Sequence, residues 1–87
     1  MTPPSADEIE QQVRLFLQES APDKGQAIAR LGRDEWLWTV IDSLSLLDLV
    51  EYLEKTFGIV IEPLDLIPEN FGSIERIIAF IRSGRGG

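Results

Sequence analysis

The chain of 87 residues contains no cysteine and no histidine. Without cysteine, neither disulfides nor thiolate–metal sites can brace the fold. Without histidine, the commonest general base and the commonest metal ligand are both missing. No metal site is expected, and no catalytic residue stands out. A hydrolase using Ser43 would need Lys24, Lys55 or a carboxylate as base, and the sequence arranges none of them near that serine. No apolar run approaches the roughly 18 residues of a membrane span. Met1-Thr2-Pro3-Pro4 lacks the basic stretch and apolar core of a secretory signal. A cytoplasmic protein, not an enzyme and not bound to membrane, is the expectation.

Bases are scarce as well. The net charge is −7, and the stretch from Asp34 to Glu75 holds ten acids against one base, Lys55. Such a surface repels nucleic acid and anionic lipid and attracts basic protein patches. With 44% hydrophobic residues, the chain has enough apolar material for one small core. A single domain over 1–87 is expected, ordered from about 5 to 83, with a flexible tail at 84–87.

Apolar spacing divides the chain into helices. Ser5 and Glu8 fit a capping box, and Ile9, Val13, Phe16 and Leu17 follow as one stripe. Pro22 marks the end of this helix. Residues 21–41 read as a long connection, within which Gln26 to Leu31 can supply a short helical turn. Its apolar part (Trp36, Leu37, Trp38, Val40, Ile41) should pack back on the helices. The paired tryptophans read as core filling beneath the loop in preference to a ligand pocket.

A second main helix runs from Leu44 to Phe57, with Leu46, Leu49, Val50, Leu53 and Phe57 facing inward and Gly58 closing it. Ile59-Val60-Ile61 has no second strand to pair with and reads as an extended connector. Pro63 opens a short helix through about Ile67, and Pro68 stops it. Ser73 caps a last helix with Ile74, Ile77, Ile78 and Ile81 as its buried stripe, and Gly84 ends it. The predicted fold class is all-α: a small bundle of three main helices plus one short helix, with a long first loop.

Asp42-Ser43-Leu44 stands where the long loop meets the second main helix. Unpaired N–H groups and the positive end of the helix dipole gather there, which favours a phosphate attached to the serine hydroxyl. A plain N-cap by Asp42 or Ser43 would use the same residues. Along the following helix, Leu44, Leu47, Asp48, Glu51 and Glu54 recur at three- or four-residue spacing on one side. They read either as a solvated acidic face or as a recognition surface.

On these residues the chain resembles the acyl and peptidyl carrier proteins. The likeness rests on Asp42-Ser43-Leu44 after a long loop and continues through Leu49-Val50-Glu51-Tyr52-Leu53-Glu54-Lys55-Thr56-Phe57-Gly58-Ile59. Pro68-Glu69-Asn70-Phe71-Gly72-Ser73-Ile74 and the closing isoleucine-rich helix extend it, from about Asp7 to Ile81. The resemblance implies a 4′-phosphopantetheine group, derived from coenzyme A, joined covalently to Ser43. Its thiol would hold an acyl or aminoacyl group as a thioester. It places the modification on Ser43 and not on the competing hydroxyl of Ser45, with Asp42 and Leu44 beside the attachment point. It implies as partners a phosphopantetheinyl transferase, a loading ligase and acyl-transfer enzymes. These would dock basic patches on Asp48, Glu51 and Glu54 and shallow apolar sites on Leu44 and Leu47. A freely visiting carrier of this kind is expected to be a monomer.

The likeness has departures. Thr39-Val40-Ile41 replaces the glycine many members carry before Asp-Ser, and the tryptophan pair is unlike the commonest fatty-acid carriers. The Pro-Glu-Asn-Phe stretch looks more like specialised carriers loaded by a dedicated ligase. The alternative is a small acidic helical interaction module without a cofactor.

Overall fold

A computed structural model describes residues 4–83. The end of the last helix at Gly84 and the tail at 84–87 fall outside the described residues. Five α-helices follow one another: α1 (Ala6–Ser20), α2 (Gly25–Arg30), α3 (Ser43–Phe57), α4 (Pro68–Phe71) and α5 (Ile74–Arg82). Short 3-10 turns occupy Pro22–Lys24, Leu37–Thr39 and Pro63–Asp65, and the described residues form no strand. The all-α class is as expected.

Helix α1 starts where its sequence says it should. The Ser5 hydroxyl accepts from the Glu8 backbone N–H at 3.1 Å, and the helix ends two residues before Pro22. Its stripe of Ile9, Val13 and Leu17 is buried, while Phe16 sits at the margin. Helix α1 packs against α2, α3 and α5, and α4 packs against α5. One continuous cluster results. Leu46, Leu49, Val50 and Leu53 of α3 join the isoleucines of α5 in it, together with Phe71 and Phe80 at 5.2 Å between ring centres.

The first connection is more ordered than its length suggests. The turn expected at Gln26–Leu31 is α2, and Ile28 and Leu31 enter the core. Side chains of α1 hold the segment in place. Arg14 donates to the carbonyl oxygens of Ile28 (2.7 Å) and Leu31 (2.6 Å) and pairs with Glu10 at 2.8 Å. Arg33 closes the other side of Glu10 at 2.6 Å and reaches Asp7 at 2.7 Å. Two backbone bonds fasten the loop to the other end of the chain: Leu37 N–H donates to Gly72 O at 2.8 Å, and Glu75 N–H donates to Arg33 O at 2.9 Å.

Two expectations need correction. Trp36 does not fill the core: it is 51% exposed, and Leu37 beside it is fully buried. The 3-10 turn at Leu37–Thr39 directs Leu37 inward and leaves the Trp36 ring lying across Gly72. Trp38 packs at the margin of the core. The short helix expected over Pro63–Ile67 is only a 3-10 turn, and Pro68 opens α4 instead of stopping a helix. Proline lacks the N–H that a first helical residue cannot use within the helix, so this placement costs no hydrogen bond. Phe57 faces inward as expected and packs half-buried against the core, beside the left-handed Gly58, whose φ of 64° closes α3.

Candidate functional site

The site begins at the N-terminus of α3. Asp42 is the N-cap: its backbone is extended, and its Oδ1 accepts from Ser45 N–H at 2.9 Å. That hydrogen bond, first among several causes, holds the Asp42 carboxyl below its ordinary range. Leu46 N–H donates to Asp42 O at 3.0 Å, so the helical ladder starts here. The two readings of the tripeptide are therefore not rivals. Asp42 makes the cap, and Ser43 is left as the first helical residue with no capping duty.

Ser43 is exposed, as are its neighbours Asp42 and Leu44, and Ser45 is half-buried. Helix α3 has 15 residues, long enough for its aligned dipoles to matter at this end. Its early backbone N–H groups also gather there, with only that of Ser45 taken by the Asp42 side chain. An outward hydroxyl with solvent around it fits a bulky phosphodiester, which a buried hydroxyl could not accept. Ile41, just before the cap, is buried and anchors the segment to the core.

Along α3, Leu44 is 73% and Leu47 53% exposed, large values for leucines on a well-packed helix. Asp48 and Glu51 are exposed beside them. Glu51 pairs loosely with Lys55 at 3.3 Å, both side chains largely in solvent. Glu54 departs from this face. It is half-buried, and its Oε2 accepts from Ile61 N–H at 2.9 Å, which ties the connector back onto α3. Four of the five residues expected on the face thus form an open surface, and the fifth has a structural duty. The 3.6-residue spacing could not show this, because the Ile61 donor arrives from beyond the helix.

Reading the sequence for a site missed the side chains that hold the loop. The i,i+4 pair of Glu10 and Arg14 is visible in the sequence, but Arg33 joins them from 23 residues away. Burial pulls the Glu10 carboxyl upward, yet the hydrogen bonds from Arg33 and Arg14 outweigh it and lower its pKa overall. Also unforeseen is an open groove of about 260 Å³ between α1 and α3, lined by Phe16, Asp48, Glu51, Tyr52 and Lys55.

Residues 40–81, the segment from just before the Asp42 cap to the end of the α5 stripe, match the family model described as phosphopantetheine attachment site. Over that segment the chain is similar to the phosphopantetheine-binding carrier family, whose members bear covalently attached 4′-phosphopantetheine and are generally carriers without catalysis of their own. No curated protein matches the chain, and no solved structure matches it. Among the described residues no helix is long and apolar enough to cross a membrane.

Proposed function

We propose that this protein is a discrete carrier whose attachment residue is Ser43, and that it delivers an acyl or aminoacyl group to partner enzymes. One observation carries the reading: within the matched segment, Ser43 is the exposed first residue of a 15-residue helix whose cap is made by its neighbour. The Ser43 Oγ supplies the oxygen of the phosphodiester. The helix end, with its early N–H groups and positive dipole, stabilises the phosphate charge. Asp42 fixes where the helix starts, so the hydroxyl is presented in one orientation. When bound, the group supplies a thiol that holds the cargo as a thioester.

Leu44, Leu47, Asp48 and Glu51 are read as the docking face, and Glu54 as support for the connector behind it. Each exposed charge contributes only about 0.2–1 kcal/mol to a rim contact. Contacts of that strength suit a shuttle that must leave each enzyme after one transfer. The Pro68-Glu69-Asn70-Phe71 segment, which forms α4, supports loading by a dedicated ligase.

The test is direct. Incubation with coenzyme A and a phosphopantetheinyl transferase should raise the intact mass by one phosphopantetheinyl group. Ser43→Ala should abolish the gain, and Ser45→Ala should leave it. A wild-type mass unchanged by several transferases would sink the carrier reading and favour a cofactor-free interaction module.

A further inference from the structure

Between α2 and α3 the chain runs through a short span whose two ends are anchored and whose middle is not. Leu31 is buried at one end, and its carbonyl accepts from Arg14 at 2.6 Å. Leu37 is buried at the other end and opens a 3-10 turn. In the middle, Gly32 and Arg33 are half-buried, and Asp34, Glu35 and Trp36 are exposed. This middle is closed from within: Gly32 N–H donates to Glu35 Oε1 at 2.6 Å, and Glu35 N–H donates to Gly32 O at 3.2 Å. It is therefore built to move as one piece. Its grip on the surrounding helices converges on Arg33. The guanidinium pairs with Glu10 and Asp7 of α1, while the Arg33 carbonyl oxygen accepts Glu75 N–H from the first turn of α5. Two further contacts, the Leu37 N–H bond to Gly72 O and the Trp36 ring, both meet Gly72.

We propose that Gly32–Trp36 is a strap that opens as one unit, with Arg33 as its catch, while the rest of the bundle stays folded. The opening exposes little apolar surface, so it costs far less than global unfolding. The side chains of the catch are 38% exposed at Arg33 and 94% at Asp7, within reach of salt and of competing charges. One residue supplies both the side-chain and the main-chain contact, so freeing the guanidinium from α1 also frees the carbonyl from α5. Glu75 N–H, a donor that α5 cannot satisfy within itself, then turns to water. Gly72 loses the Leu37 N–H and its indole cover, and the turn from α4 into α5 loosens. The strap thus sets the freedom of that turn, and a charge that competes for Arg33 regulates it. None of this depends on attachment at Ser43.

Amide hydrogen exchange of the full chain, read by NMR at a series of low urea concentrations, tests the proposal. Leu37 and Glu75 should share one opening free energy, lower than that of Leu53 in the core and less dependent on urea. Arg33→Gln should speed both amides by the same factor, about fivefold, and Asp7→Asn should speed both by about twofold. The second variant alters only an exposed side chain, so its folding is not in question. Both factors should shrink as salt rises. One common rate and urea dependence for Leu37, Glu75 and Leu53 would overturn the proposal, because the strap would then open only on global unfolding. So would a factor that differs between Leu37 and Glu75, or one that salt leaves unchanged.

Discussion

Asp42 and Ser43 show how two adjacent side chains divide one helix end between them. The carboxylate takes the Ser45 N–H, and the hydroxyl is released to solvent. Asp42→Ala should lower the melting temperature and fray the start of α3, whereas Asp42→Asn, also a good cap, should restore most of the loss. Hydrogen exchange at Ser45 and Leu46 is the measurement that separates the two variants. The Glu10 carboxyl offers a pH test. Its pKa is lowered in the folded chain, so its contribution is complete above the unfolded value, about 4.3 for glutamate. The contribution is lost as pH falls through the lower folded value. Glu10→Gln should therefore lower stability at neutral pH and flatten its decline in acid, as read from denaturant melts across that range.

At the scale of elements, two glycines matter for opposite reasons. Gly72 has an ordinary φ of −76°, but a Cβ there would lie 2.6 Å from Pro68 O and 2.7 Å from the Trp36 ring. The ring can move and the carbonyl of α4 cannot, so Gly72→Ala should cost about 1–3 kcal/mol by overpacking and loosen the loop at Leu37. Gly58 has open space around it and a φ of 64°. Gly58→Ala should cost about 1–2 kcal/mol, all of it backbone strain. Urea denaturation of both variants, with tryptophan emission as a second probe for Gly72→Ala, checks the contrast. What the sequence made legible follows the same division. Helical spacing located α1, α3 and α5 and most of their buried faces, because periodicity and caps are local. Pro63 opens only a short turn and Pro68 opens a helix in place of stopping one, because either proline can begin a helix and neighbouring residues do not say which will. Trp36 was misplaced because hydrophobicity alone cannot show which way a 3-10 turn points its side chains. Ser43 was readable from Asp-Ser-Leu at a helix start, whereas the Ile61 partner of Glu54 and the groove over Tyr52 depend on contacts between elements.

For the molecule as a whole, the charge is lopsided. Ten acids and one base occupy Asp34–Glu75, the stretch that includes the proposed attachment residue and its docking face. Partner encounter should therefore be fast at low salt and slow steeply as salt rises. Asp48→Asn and Glu51→Gln should each weaken it by about 1.5- to 5-fold, measurable as the rate at which a transferase converts the chain to its loaded form. The core tolerates less: Leu53 is completely buried, and Leu53→Ala should cost about 2–5 kcal/mol in a thermal melt.

The half-exposed indole of Trp36, seated across Gly72 at the joint between the first loop and the closing helix, gives the molecule a built-in optical gauge. With Trp38→Phe removing the second emitter, the colour of the remaining fluorescence reports whether that joint stays shut during a visit to an enzyme. A blue shift would mean the visitor covers the indole, and a red shift would mean the loop has lifted off its seat.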